Sequence, residues 1–287
     1  MKRNSSVWVY CVLIGLWMAL LAAIPAWAQT AQEKEVTMRK TRMIDLSHAI
    51  DNTGGDKVEY IDHVQSVESY AKRRGLTAAD LPDGKYCAVE NVTLQTHSKT
   101  HLDAPWHYGP TSEGKRARTI DEVPLEWCYG NGVVLDFTHK KKGESIDVKD
   151  VQQALKKIGY TIKPYDIVLI RTDVYKKINE KGYENMHPGM SKEATLWLID
   201  QGVKVMGIDA WGWDRPFDVM VDEFKSGVKD RFWAAHFAGR EKEYCHVENL
   251  ANLDQIPKPY GFKVSLFPIK IKAAGGGWVR AVAILEE

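Results

Sequence analysis

Eleven consecutive residues, His97-Ser98-Lys99-Thr100-His101-Leu102-Asp103-Ala104-Pro105-Trp106-His107, hold three histidines and a carboxylate. Imidazole nitrogens and carboxylate oxygens are the donors that zinc and manganese take, and a site with an open position leaves room for water. A bound cation lowers the pKa of that water to roughly 7, so that a metal-bound hydroxide is available to attack a carbonyl. No cysteine lies in the run, which separates it from closed, thiolate-rich structural zinc sites. The spacing of four between His97 and His101 would suit a helix face, but Pro105, Gly109 and Pro110 follow and β-rich sequence precedes. Positions 97, 101, 103 and 107 share parity, so an extended chain projects all four side chains to one side.

The segments around this run must position it. Ala88–Thr96 alternates Val92 and Leu94 with Thr93 and Gln95, the period-two mark of a half-buried strand leading to His97. Met43–Leu46 reads as the first strand, and Gly132–Asp136, Asp166–Ile170 and Val203–Asp209 as apolar strands. Helices are expected over Val148–Ile158 and Ser191–Gln201, so strand and helix alternate as in an α/β domain. Phe262–Leu266 and Val279–Leu285 are further strands, with Gly275-Gly276-Gly277 between them as a hairpin or loop. Lys57–Arg74 reads as an insertion, a helix or lid, closed by the turn Pro82-Asp83-Gly84.

The chain opens with Lys2 and Arg3, an uncharged apolar run, and Ala26-Trp27-Ala28, the pattern of a signal peptide cleaved after Ala28. An uncleaved anchor is the alternative, against which Pro25 and the cleavage pattern count. Residues 1–28 are thus expected to be a signal peptide, 29–42 a flexible lead-in and 43–287 the domain, periplasmic or secreted. Removing Lys2 and Arg3 from 39 basic side chains leaves 37 against 38 acidic ones, a net charge of −1. That balance attracts neither nucleic acid nor an anionic membrane. Cys87, Cys128 and Cys245 form no Cys-x-x-Cys pair and are expected in the core. There is no Gly-x-Ser-x-Gly elbow, His-Glu-x-x-His or Walker loop, so serine hydrolase, zincin and P-loop chemistries lack support.

The sequence resembles the cyclase superfamily, which includes bacterial kynurenine formamidase, isatin hydrolase and related lactone hydrolases. The family's hallmark is His-x-Gly-Thr-His-x-Asp-x-Pro-x-His, matched here at His97, Thr100, His101, Asp103, Pro105 and His107, with Lys99 in place of the glycine. Asp45-Leu46-Ser47-His48 and Arg280-Ala281-Val282-Ala283 extend the resemblance over nearly all of the mature chain. The family also has a histidine followed twelve residues later by a glutamate, as His236 and Glu248 are.

This resemblance implies a single α/β domain with a mixed, barrel-like β core flanked by helices, of the swivelling β/β/α kind. It implies one or two zinc or manganese ions per chain. His97, His101 and Asp103 would hold the first; Asp103, His236 and Glu248 would serve the second, with Asp103 and Glu248 as bridging groups. His107 would be the catalytic proton shuttle, histidine suiting this with an unperturbed pKa of about 6.5. The reaction implied is hydrolysis of an amide, formamide, imide or lactone, in a homodimer or tetramer. Trp106, Trp211 and Trp213 could line a pocket for an aromatic substrate or belong to the core. Lys99 could meet an acidic group on the substrate or be solvated. His246 shares a strand face with Glu248 and could contact substrate or, the favoured reading, be an ordinary exposed histidine. The rival reading is a catalytically inactive periplasmic metal- or ligand-binding protein; exposed His- or Met-rich tracts typical of metal carriers are missing.

Overall fold

Val133-Val134-Leu135 and Ile167-Val168-Leu169-Ile170 have no polar side, and strands of that kind need cover on both faces. The computed structural model, described over residues 41–286, supplies it. Nine strands form one curled sheet: Thr41–Asp45 (β1), His101–Asp103 (β2), Tyr129–Asp136 (β3), Ile167–Arg171 (β4), Val205–Ile208 (β5), Cys245–Glu248 (β6), Tyr260–Ser265 (β7), Gly276–Trp278 (β8) and Val282–Glu286 (β9). Their order is β1-β9-β7-β3-β4-β5-β6-β2-β8. The central β3, β4, β5 and β6 run parallel, and β7 and β9 on one side and β2 and β8 on the other pair antiparallel.

Period two divides the core between two faces. Val133, Leu135, Val168, Ile170, Met206 and Ile208 pack on one side with helices Val148–Ile158 (α2) and Lys192–Asp200 (α3). Val134, Ile167, Leu169, Val205 and Val247 turn to the other, into the curl, against Leu46, Leu102, Val264 and Ala283. α2 starts at a capping box in which Asp147 N–H donates to Asp150 and stops at left-handed Gly159, so its ends satisfy their own backbone groups. α3 starts where Ser191 Oγ accepts from Ala194 N–H.

The mixed sheet with flanking helices is the architecture the resemblance implied. Several expectations need correction. The strand before His97 covers Val89–Thr93, pairs among the described residues with Lys57–Ile61 alone, and leaves Val92 47% exposed, so it is not a core strand. The Lys57–Arg74 segment is that partner strand followed by short helical turns. Gly276 and Gly277 belong to β8 rather than to a loop. Of the cysteines, Cys128 and Cys245 are buried but Cys87 is exposed. Helices Phe217–Lys225 (α4) and Ala234–Glu241 (α5) lie between β5 and β6, a stretch with no predicted element. The signal-peptide segment lies outside the described residues, and among the described residues no helix is long and apolar enough to cross a membrane. The compact unit spans Arg42–Glu286.

Candidate metal centre

β2 and β6 build the centre through their register. Asp103 is opposite His246 and His101 opposite Glu248, so four polar side chains from two antiparallel strands share one face. Thr100 fixes the entry to β2: its hydroxyl donates to Asn249 O at 2.6 Å and accepts from His48 N–H at 2.9 Å. The two motifs far apart in sequence meet beside it. Leu46 N–H donates to Ala281 O, and Arg280 forms a two-pronged ion pair with Asp45, both contacts 2.8 Å.

The chain is not extended through the motif. Lys99 is left-handed, at φ 55°, which turns His97 back over His101. Pro105 then opens a four-residue helix, Pro105–Tyr108 (α1), which carries His107 to the rim. The rings of His97 and His107 stack with centroids 3.9 Å apart. Shared parity therefore accounts for His101 and Asp103 on β2 but not for His97 or His107. The Lys99 ammonium donates to Asp51 Oδ1 at 3.0 Å and Thr53 Oγ1 at 2.6 Å, so it is engaged on its own chain.

His236 arrives from α5. Asp214 accepts the Ala235 N–H, the His236 N–H and the His236 Nδ1–H, at 2.7, 2.9 and 2.5 Å. It thus caps α5 and fixes the His236 ring with Nε2 turned to Asp103 and Glu248, 3.6 Å from each. His101 repeats the arrangement, with Nδ1 held by Lys99 O at 2.8 Å and Nε2 3.2 Å from Asp103 Oδ1. His97 Nδ1 is 2.6 Å from Asp103 Oδ1, and His107 Nε2 is 3.6 Å from Asp103 Oδ2. Gly276 makes room for this: a methyl group there would come within 2.6 Å of the His97 ring.

The other four expected ligands and His107 therefore gather around Asp103. His246, expected as a substrate contact or an exposed histidine, is fully buried and outside the cavity lining, with Nε2 3.2 Å from both Asp103 Oδ2 and Glu248 Oε1. Its position two residues before Glu248 gives the strand face correctly; that this face would be covered by Tyr108, Tyr244 and Trp213 is a tertiary fact. Asp214 was also missed, although the Asp209–Asp214 stretch stood out by its tryptophans.

Buried carboxylates and buried histidines set each other's charge at this centre. Burial opposes ionisation of Asp103 and Glu248, yet the histidines outweigh it, chiefly His101 for Asp103 and the His246 hydrogen bond for Glu248. Asp103 is held well below the usual carboxylate range and Glu248 at about 2. In turn burial disfavours charged His101 and His236, but the carboxylates prevail and raise them to about 9 and about 10. Among the described residues His101 Nε2 and Asp103 Oδ2 are buried without a hydrogen-bond partner, a costly state that a metal ion would relieve. The donor set, nitrogen and oxygen without sulfur, fits zinc or manganese. At His107 burial dominates and lowers the pKa to about 4, so that ring is neutral at neutral pH.

Above the centre lies a cavity of about 280 Å³, floored by His97, His101, His107, His236 and Glu248 and walled by Trp211, Phe217, Met220 and Trp233. Trp211 thus lines a pocket, while Trp213 is core, its indole N–H donating to Thr195, and Trp106 faces solvent away from the cavity. Arg215, the cavity's cation among the described residues, is already paired with Glu223.

Residues 44–215 match the family model described as putative cyclase. The kynurenine formamidase of Bacillus thuringiensis (strain Al Hakam) is 25% identical over 194 residues, which cover 68% of this chain and 78% of that protein. Isatin hydrolase A from Labrenzia aggregata, solved with benzyl benzoate bound, aligns with a TM-score of 0.66 at 22% identity, covering 91% of this chain and 100% of its own. Isatin hydrolase A from Ralstonia solanacearum aligns with a TM-score of 0.67 at 21% identity, with both chains covered in full, 100% each. These structural likenesses show the fold. With the family model spanning more than half of its length, the chain belongs to the cyclase family and is a metal-binding hydrolase of it.

Proposed function

We propose that the protein hydrolyses a small, neutral carbonyl compound with an aromatic ring, an aryl formamide, a cyclic amide or imide, or a lactone, using zinc or manganese. The relatives' names, kynurenine formamidase and isatin hydrolase, support C–N cleavage next to an aromatic ring. The observation that carries the reading is the cavity: aromatic walls directly above a floor of histidines and carboxylate. Its volume of about 280 Å³ suits one or two fused rings. Lys99 and Arg215 are both held by carboxylates of the protein, so among the described residues neither side chain is free to select an acidic substrate.

His97, His101 and Asp103 would hold one ion, and Asp103, His236 and Glu248 a second. Bound there, a divalent cation lowers the pKa of water to roughly 7 and polarises a carbonyl oxygen. Trp211, Phe217 and Trp233 hold the planar ring and exclude bulk water. His107, neutral and with Nε2 turned toward Asp103, accepts the proton released by the attacking water and returns it to the departing nitrogen or oxygen. Asp214 keeps the His236 ring in one orientation throughout.

The test is turnover by zinc- and manganese-loaded protein of N-formylanilines, fused-ring cyclic amides and imides, and aryl lactones, each beside a carboxylate-bearing analogue. The neutral members should be turned over with the larger kcat/KM. Stoichiometric metal with no turnover of any class would favour a binding protein, and preference for the acidic analogues would overturn the substrate assignment.

A further inference from the structure

We infer that His246 is itself a metal ligand, so that Asp103, His236, His246 and Glu248 form a closed, four-donor inner position, while the outer one, of His97, His101 and Asp103, is the one open to substrate. The inference rests on the metal-centre reading above and extends it. The first support is the His246 tautomer. Its Nδ1 lies 3.2 Å from the Tyr244 hydroxyl and 3.0 Å from that of Tyr108. Tyr244 donates its proton to Ala235 O at 2.8 Å, and Tyr108 donates to Asp103 O at 3.2 Å. A hydroxyl has one proton to give, so the proton shared with Nδ1 belongs to His246. Nε2 is then the ring atom that faces two carboxylate oxygens, each 3.2 Å away. Nε2 and the two oxygens converge on one buried point, where a divalent cation would be held by all three.

Geometry supplies the second support. A tetrahedral zinc site with bonds of about 2.0–2.1 Å separates its donors by about 3.3–3.4 Å. Here His246 Nε2 is 3.2 Å from both carboxylate oxygens and His236 Nε2 is 3.6 Å from both. Four of the six edges therefore bracket the tetrahedral value.

Burial separates the two positions. His246 is sandwiched between Tyr108 and Trp213, rings stacked at 5.3 and 5.4 Å, and neither it nor Asp103 reaches the cavity surface. His97 and His107 keep side-chain exposures of 27% and 26% and line the cavity. A full set of protein donors is the mark of a structural ion, and an incomplete set that of a catalytic one. The inner ion would hold Asp103 Oδ2 in place and so present Oδ1 to the outer position.

Cobalt(II) tests this, because four-coordinate cobalt absorbs visible light several-fold more strongly than five- or six-coordinate cobalt. The protein should take up two cobalt ions per chain, the tighter one giving the intense band. His246→Ala and His246→Gln should weaken that ion at least tenfold and abolish the band, while the weaker ion stays. In zinc-loaded protein, imidazole nitrogen NMR should show His246 protonated at Nδ1 and metal-bound at Nε2, a readout independent of how the variants fold. His246 protonated on both nitrogens, or unchanged cobalt affinity and spectrum in the variants, would overturn the inference while leaving the metal centre standing. No stoichiometric metal in the unmodified protein would instead overturn the metal-centre reading and the inference with it.

Discussion

Asp103 and His246 face each other across the antiparallel β2–β6 pair, Oδ2 to Nε2 3.2 Å, while the other oxygen of the same carboxylate lies 2.6 Å from His97. On the proposed two-ion reading, one side chain therefore serves both halves of the centre. Asp103→Asn, which keeps the shape and removes the charge, should empty both positions, from two ions per chain to none. His97→Ala should lose only the outer ion. Elemental analysis after dialysis checks both; retention of one ion in Asp103→Asn would mean that the halves do not share the carboxylate.

In the proposed mechanism His107 transfers the proton and does not hold the metal. His107→Ala should lower kcat by about 10²–10⁴-fold, the usual contribution of a general acid–base group, while metal content stays at the level of the unmodified protein. A parallel loss of metal would reassign the residue as a ligand, the role its 3.6 Å approach to Asp103 also permits.

Gly276 leaves no room for a side chain beside His97. In Gly276→Ala the new methyl group would sit 2.6 Å from His97 Cε1 and 3.1 Å from Leu102 O, so the imidazole must move. Overpacking of this kind costs about 1–3 kcal/mol. The variant should fold with a lowered Tm, keep the inner ion and lose most activity. Crystallography of the variant would show the displaced ring, and unchanged kcat would show that His97 has slack the geometry does not suggest.

Much of this centre was legible in the sequence because short-range spacing and strand parity are local. His101 and Asp103 share a face for that reason, and Asp147, Ser191 and Gly159 mark helix ends by their own chemistry. What failed was whatever depended on a turn or on cover from elsewhere. The parity of His97 was broken by left-handed Lys99, and that of His107 by the helix that Pro105 opens. The burial of His246 is not legible, because the pattern of a strand does not say what lies over it. α5 escaped notice because Gly239 interrupts a short helix; the glycine is there because a methyl group would meet Tyr108 at 2.2 Å.

Lys99 shows how a departure from a family pattern is absorbed. A non-glycine residue in the left-handed region costs about 1–2 kcal/mol, and the ion pair with Asp51 returns at most about 1 kcal/mol because Asp51 is largely solvated. Lys99→Gly should then be neutral to slightly stabilising in chemical denaturation. Lys99→Ala, which keeps the strain and loses the pair, should be less stable by up to about 1 kcal/mol. Neither should change kcat/KM for neutral substrates by more than about twofold, a change of about 0.4 kcal/mol. A selective loss toward acidic substrates would restore Lys99 as a substrate contact.

Metal and protons compete for the same nitrogens, and the pKa shifts set the direction. In the metal-free protein burial disfavours charged His101 and His236, but the surrounding carboxylates outweigh it and keep them protonated up to about pH 9 and about pH 10. At pH 7.5 a metal ion must expel those protons to reach Nε2, so binding should release about two protons per chain. Affinity must then fall as pH falls. Because the protons are still held at pH 8, affinity should go on rising with pH between 7 and 9, where ordinary histidines, with pKa about 6.5, would already be free and the curve flat. Zinc competition with a chelator across that range, corrected for the chelator's own protonation, measures the slope. A plateau from pH 7 upward would show that the carboxylates do not hold protons on these histidines and that the centre is preformed without them.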